Sequence, residues 1–125
     1  MSLLLDAGAL IGFERGDPAI AAKLQTAVDS SDDLRTTSMI VAQAWRDGRR
    51  QVSLARLLSN VEIVAIDEDL GRQAGELLGV SRTADPIDAS LVILARPHDR
   101  ILTSDPTDIR QLVAATGMRV RVVAC

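Results

Sequence analysis

Aspartates occur in this sequence at three places where an element of secondary structure is predicted to begin or end. Asp6 follows the apolar run at 3–5, and the tetrapeptide Asp-Pro-x-Asp occurs at 85–88 and again at 105–108. Carboxylates serve proteins as ligands of hard divalent cations and as general acids or bases. These aspartates are therefore either turn and capping residues or parts of one site, and the elements around them decide between the two.

Each Asp-Pro-x-Asp tetrapeptide has the sequence of a helix start. The first aspartate is expected to cap free backbone N–H groups, the proline suits the first turn, and the second aspartate lies near the positive end of the helix dipole. Capping alone would explain both copies. The helix that Asp88 opens is, however, strongly apolar over 91–95, so its first turn is expected to lie against the sheet rather than in water.

The rest of the pattern predicts strands that alternate with helices. Apolar or β-branched runs predict strands at 3–5, 34–36, 61–66, 100–103 and 118–123. Helical spacing and capping residues predict helices at 9–15, 18–29, from 37 or 38 to about 47, 49–58, 68–79, 87–96 and 107–115. This alternation indicates one α/β domain, residues 1–125, with a mainly parallel sheet of roughly five strands flanked by helices on both faces.

Two of the aspartates follow strands that are predicted to be buried. Because ligands gather at the carboxyl ends of parallel strands, Asp6 and Asp105 will lie close together if their strands are neighbours in the sheet. Several carboxylates in one cleft repel one another strongly unless a cation neutralises them. Oxygen ligands favour Mg²⁺ or Mn²⁺ over Zn²⁺. The sequence therefore favours a divalent metal site that contains Asp6, Asp88 and Asp105.

With these motifs the chain resembles a known family, the PIN domains. The resemblance rests on three segments in this order: L-L-L-D-A-G-A-L-I at 3–11, D-P-I-D-A-S-L-V-I-L-A at 85–95 and I-L-T-S-D-P-T-D-I at 101–109. It covers essentially the whole chain, at the length of the small VapC-type toxins of toxin–antitoxin pairs. It implies a Mg²⁺- or Mn²⁺-dependent endoribonuclease that is usually a homodimer and is inhibited by a small antitoxin encoded beside it.

The resemblance also implies roles for individual residues. It makes Asp6, Asp88 and Asp105 the catalytic metal ligands and Asp108 an auxiliary acid. The hydroxyl-bearing residues that commonly precede the last acid correspond to Thr103 and Ser104. Their hydroxyl groups are candidates for holding a carboxylate or a metal-bound water and for contacting the substrate or a partner.

One position departs from the family pattern. The second acid of the family, normally a glutamate, corresponds to Gln43, which keeps a carbonyl oxygen but lacks the charge, so the affinity for a metal is expected to fall. Asp85 and Asp47 are further candidates for the missing charge, since Asp85 is near Asp88 in sequence and Asp47 is one helical turn beyond Gln43. Two hypotheses follow: an active ribonuclease that hydrolyses RNA phosphodiesters through metal-activated water, and a weakened or inactive PIN-like protein that binds a partner.

The densest basic cluster of the sequence consists of Arg46, Arg49 and Arg50. They form either a solvated turn between two helices or a contact to phosphate or to an acidic partner.

The bulk composition excludes some classes of protein. The net charge of −3 gives no global basic field, and the only cysteine, Cys125, excludes an internal disulfide. No 18-residue apolar run is present, so we expect a soluble cytoplasmic protein. The absence of G-x-G-x-x-G argues against a dinucleotide site. The only lysine, Lys23, lies too early in the chain to be the late strand-end lysine of a receiver-type phosphoacceptor.

Overall fold

A parallel sheet of five strands forms the centre of the molecule. The computed structural model describes all residues, 1–125. The strands are β1 (Ser2–Leu5), β2 (Asp33–Thr37), β3 (Glu62–Val64), β4 (Arg100–Thr103) and β5 (Arg121–Ala124). Their order in the sheet is β3-β2-β1-β4-β5, and every neighbouring pair is parallel. The predicted parallel α/β fold is confirmed.

Seven helices pack around the sheet. They are α1 (Ala7–Glu14), α2 (Pro18–Asp29), α3 (Ser38–Ala44), α4 (Val52–Leu58), α5 (Glu68–Ser81), α6 (Pro86–Leu94) and α7 (Pro106–Thr116). Helix α1 contacts α2, α3 and α4, while α5 contacts α6 and α7. All four residues of β1 are buried, which requires helices over both faces of this central strand. No helix is both long enough and apolar enough to span a bilayer.

The starts of α2 and α3 agree with the prediction, because capping residues act locally. Asp17 caps α2 by accepting hydrogen bonds from the N–H groups of Ala19 and Ile20 at 2.9 and 3.3 Å. The hydroxyl of Thr37, one of the two predicted caps, accepts from the N–H of Ile40 at the start of α3. Local sequence is sufficient to place such caps.

The prediction was wrong for the segment between α3 and α4. The helix expected to reach about residue 47 ends at Ala44, and the helix expected from residue 49 begins at Val52. The cause is the buried side chain of Gln51, whose amide oxygen accepts from the N–H groups of Arg46 and Asp47 at 2.7 and 3.0 Å. Because this side chain, only four and five residues beyond the two N–H groups, satisfies the backbone, a loop is stable where sequence periodicity favoured helix.

The edge strands also differ from their predicted bounds. Strand β3 is shorter than the predicted strand at 61–66, and β5 begins three residues later than the predicted strand at 118–123. Each pairs with a neighbour on one side only, so the number of residues in the ladder depends on β2 and β4 and not on β-branched content.

The order of the strands determines what meets at the carboxyl edge of the sheet. Strand β1 lies between β2 and β4, with Leu5 opposite Leu102. The N–H of Asp6 donates to the carbonyl of Leu102 at 3.0 Å, which extends the β1–β4 ladder by one residue. The residues that follow β1 and β4 are therefore neighbours in space, as the sequence hypothesis required.

Candidate metal centre

Asp6 is buried at the junction between β1 and α1. Its side chain is only 6% exposed and both of its oxygens have donors. Oδ1 accepts from the N–H of Ala7 at 2.8 Å, and Oδ2 accepts from the Oγ1 hydroxyl of Thr103 at 2.6 Å. A carboxylate held by two donors has a defined orientation.

Thr103, the last residue of β4, links the two acids that follow the neighbouring strands. Besides donating to Asp6, its fully buried hydroxyl accepts from the N–H of Asp105 at 2.9 Å. Ser104, the other hydroxyl-bearing candidate, is exposed and lies against Gly8 in the first turn of α1. A Cβ at Gly8 would overlap both Cβ and Oγ of Ser104, so the close approach of α1 to the end of β4 requires glycine.

The two Asp-Pro-x-Asp segments have different structures despite their shared sequence. Asp85 caps α6, as predicted, by accepting from the N–H groups of Ile87 and Asp88 at 2.9 and 3.2 Å. The expectation that Asp105 caps α7 was wrong, because its side chain accepts no capping hydrogen bond. The backbone of Asp105 is instead held by Thr103, and its carboxylate is free to face the other acids.

Three of the aspartates bring their carboxylates together. Asp88, Asp105 and Asp108 each offer an oxygen, and these oxygens all lie within 4.8 Å of one another. Asp88 is buried in the first turn of α6, whereas Asp105 and Asp108 are exposed at the start of α7. Asp6 is not a member of this group of three. The predicted auxiliary acid, Asp108, thus occupies a more central position than the sequence alone suggested.

The electrostatics of the cluster are unfavourable for four negative charges. Burial, and then the negative charges of Asp6, Asp85, Asp105 and Asp108 in that order, together raise the pKa of Asp88 to about 7. The pKa of Asp108 is raised by its hydrogen bond with Asp105 and then by the charge of that residue. Shifts of this direction and origin are frequent at functional sites.

No side chain of the protein compensates this negative charge. The five ion pairs of the chain involve Asp32, Asp47, Glu62 and Glu68, and none involves the aspartates at 6, 85, 88, 105 or 108. The donor set is oxygen only, partly buried and without a cationic partner. These residues fit a hard divalent cation such as Mg²⁺ or Mn²⁺ better than Zn²⁺, which favours nitrogen and sulfur.

Of the other predicted residues, Gln43 and Asp47 are not part of this cluster, whereas Asp85 adjoins it. Gln43 is exposed on α3 and lines a cavity that includes none of the four aspartates. Asp47 lines the same cavity and pairs with Arg49 at 3.3 Å. Asp85 uses its oxygen Oδ1 to cap α6, although its charge acts on Asp88. Metal ligation by Gln43 or Asp85 stays a prediction.

Two residues of this cavity were not predicted from the sequence. Arg15, at the end of α1, joins Arg46 and Arg50 in its wall, and buried Gln51 organises the loop behind it. These partners are more than thirty residues from α1 in sequence, so no local signal associates them with Arg15.

Comparison with known proteins supports the fold. The chain matches no protein-family model and no curated protein. It is similar in structure to a chain of the crystal structure of VapBC2 from Rickettsia felis bound to a DNA fragment from their promoter. The TM-score is 0.69 at 12% sequence identity, over 98% of this chain and 99% of that chain. At this identity the likeness concerns the fold, which is the PIN-like α/β fold that the sequence resemblance implied.

Proposed function

We propose that this chain is a Mg²⁺- or Mn²⁺-dependent endoribonuclease, the toxin of a VapBC-type toxin–antitoxin pair. The observation that carries the proposal is the convergence of Asp6, Asp88, Asp105 and Asp108 at the carboxyl edge of the sheet without a compensating cation. A structural cluster of this kind would be destabilising unless it served a cation. The structural similarity to a VapBC2 chain supports the assignment to this class of toxin.

Each acid has a distinct task in this proposal. Asp88, Asp105 and Asp108 would hold the cation, while Asp6, oriented by Thr103, completes the negative wall of the site. A bound Mg²⁺ or Mn²⁺ would supply a water of lowered pKa and shield the charge of the phosphate under attack. Asp105 does not cap the first N–H groups of α7. These groups can therefore donate hydrogen bonds to a phosphate oxygen.

The chemistry implies the products and the partners. Attack by water, without the 2′-hydroxyl as nucleophile, leaves a 5′-phosphate and a 3′-hydroxyl. By analogy with the VapBC2 complex, whose components were crystallised together on promoter DNA, we propose a small antitoxin as the partner of this chain. We further propose a homodimer in the cytoplasm, which light scattering of the purified chain will test.

RNA cleavage by the purified chain tests the activity. We expect cleavage with Mg²⁺ or Mn²⁺, none with EDTA, and loss of at least about a hundredfold in Asp105→Asn, since a ligand charge is removed. Asp29→Asn is the matched control, because Asp29 is exposed at the end of α2 and contacts only Gln25. Absence of wild-type cleavage with either metal, or equal cleavage by Asp105→Asn, would refute the enzymatic function.

A second candidate function comes from Gln43. If the lack of the family's usual glutamate at this position has cost the site its activity, the chain is a PIN-like protein that binds a partner and cleaves nothing. Capture of a co-expressed small protein encoded immediately upstream, together with no cleavage under the conditions above, would favour this alternative.

A further inference from the structure

A basic cavity lies between the ends of α1 and α3. It has a volume of about 520 Å³, and its walls come from α1, α3 and the loop that leads to α4. Three arginines, Arg15, Arg46 and Arg50, line it together with two carboxylates, those of Glu14 and Asp47. Since Arg15 directly follows α1 and the other two follow α3, the fold is what brings the three arginines together.

Both carboxylates of the cavity are engaged by other groups. Glu14 accepts from the amide nitrogen of Gln51 at 3.0 Å. Asp47 pairs with Arg49, which is itself outside the cavity wall, at 3.3 Å. Of the three arginines predicted from sequence to contact phosphate or a partner, Arg49 is therefore already paired. The charges left to face the cavity are mainly positive.

The arginines of the wall retain free donors. The side chains of Arg15 and Arg50 make no hydrogen bond or ion pair within the chain, and both residues are exposed. Arg46 donates to the carbonyls of Ala42 and Trp45 at 2.9 and 2.7 Å, in both cases through Nη1. Its Nε and Nη2 remain available. Guanidinium groups with free N–H donors are suited to bidentate contacts with phosphate.

Gln43 adds no negative charge to the cavity, so the charge of the wall stays more positive than it would be with a glutamate at this position. It lines the wall at the position where a glutamate would place a third carboxylate. A glutamine here can donate to a phosphate oxygen through its amide nitrogen and does not repel it. Gln43, which lacks the charge of the family's usual glutamate, therefore favours the binding of an anion in this cavity.

One face of α1 leads from the acidic cluster to this cavity. Ala7, Ile11 and Arg15 follow one another at intervals of four residues, so they lie on the same side of the helix. Ala7 is adjacent to Asp6, and Ile11 is already part of the cavity wall. Asp6 and Arg15 are nine residues apart, about 13 Å along a helix. A strand of a few nucleotides can span this distance.

We propose that the cavity lined by Arg15, Arg46 and Arg50 binds backbone phosphates of single-stranded RNA that flank the phosphodiester at the acidic cluster. The inference rests on the proposed ribonuclease function for the identity of the polyanion. In this proposal the arginines position the RNA strand and take no part in breaking the phosphodiester bond. Phosphate contacts of this kind set register and affinity independently of base sequence.

Binding of a labelled, mixed-sequence single-stranded RNA to the full chain in EDTA tests the proposal without requiring cleavage. We expect Arg15→Gln/Arg50→Gln to weaken binding by roughly tenfold or more. We also expect it to lower the slope of log K against log salt by about 1.4, which corresponds to two phosphate contacts. Arg15→Lys/Arg50→Lys, which keeps both charges, should retain most of the slope. Unchanged melting temperatures of the variants will establish that the fold is intact.

Arg96→Gln is the matched control, because Arg96 is exposed beyond the end of α6 and its side chain makes no hydrogen bond or ion pair. It should bind RNA as the wild type does. The proposal is overturned if the wild type does not bind RNA, if the double variant binds equally well, or if Arg96→Gln weakens binding as much. It is also overturned if an acidic peptide, and not RNA, depends on Arg15 and Arg50. RNA binding without cleavage would refute the proposed function alone.

Discussion

The hydroxyl of Thr103 donates to Oδ2 of Asp6 over 2.6 Å, across the junction of the two central strands. The same hydroxyl accepts the N–H of Asp105, so one buried side chain sets the position of two acids. This bond ties the acidic cluster to the register of β1 and β4.

Replacing Thr103 with valine removes this link. We expect Thr103→Val to lose about 1–3 kcal/mol of unfolding free energy, because a buried carboxylate oxygen and a backbone N–H lose their partner. We also expect a clear reduction in metal-dependent cleavage, since Asp6 and Asp105 are no longer held in place. Thr103→Ser keeps the hydroxyl and should stay close to the wild type in denaturant unfolding and in activity. Equal effects of valine and serine would contradict the role of the hydroxyl.

The raised pKa of Asp88 predicts how stability depends on pH in EDTA. The pKa is about 7 in the folded chain against 3.8 for an unperturbed aspartate, mainly because of burial and then of its negative neighbours. Between these values the folded state binds more protons than the unfolded state. The stabilisation is therefore complete below about pH 4 and is lost as the pH rises through about 7.

Calorimetry of the metal-free chain checks this dependence. The melting temperature should fall between about pH 5 and about pH 8, and Asp88→Asn, which does not titrate, should flatten the decline. Identical profiles for the variant and the wild type would show that another group is responsible.

Metal binding should reverse the effect of the acidic cluster. In EDTA, Asp108→Asn should melt at a slightly higher temperature than the wild type, because it removes a charge close to Asp105 and Asp88. With Mg²⁺ at about pH 8 the wild type should gain stability by mass action, by about 2.7 kcal/mol at a hundred times the dissociation constant. The variant should gain less, and the gain should shrink at about pH 5, where Asp88 holds a proton. A gain that is the same for both chains would contradict these ligands.

The contact between Gly8 and Ser104 predicts a compensating pair of substitutions. Gly8→Ala should cost about 1–3 kcal/mol of unfolding free energy and lower activity, since the new Cβ overlaps the side chain of Ser104 and displaces α1. Ser104→Gly removes the overlapping atoms, so the double variant should recover much of the loss. A double-mutant cycle by denaturant unfolding measures the coupling, and strict additivity would contradict the predicted clash.

Gln43→Glu separates two roles for this position. Because Gln43 lines the arginine cavity, the added carboxylate should weaken RNA binding in EDTA and leave the Mg²⁺ titration of the melting temperature little changed. The family resemblance leads to the opposite expectation, a tighter titration. Measuring both properties on the same variant decides between them.

Sequence alone determined the elements that carry the acids. The leucines before Asp6 and the short apolar run at 101–103 predict buried strands because both faces must be apolar, and Asp-Pro starts helices through local hydrogen bonds. These rules depend on near neighbours in the chain. They therefore placed Asp6, Asp88 and Asp105 near one edge of a parallel sheet.

Tertiary structure decided what these residues contact. The strand order puts β1 beside β4, and only then can Thr103 join Asp6 to Asp105. The two Asp-Pro-x-Asp helix starts differ in structure: the backbone of Asp105 is held by Thr103, and its carboxylate is not used as a cap. Arg15 reaches the arginines after α3 through packing of α1. Such contacts depend on energies between residues distant in sequence, which no local pattern encodes.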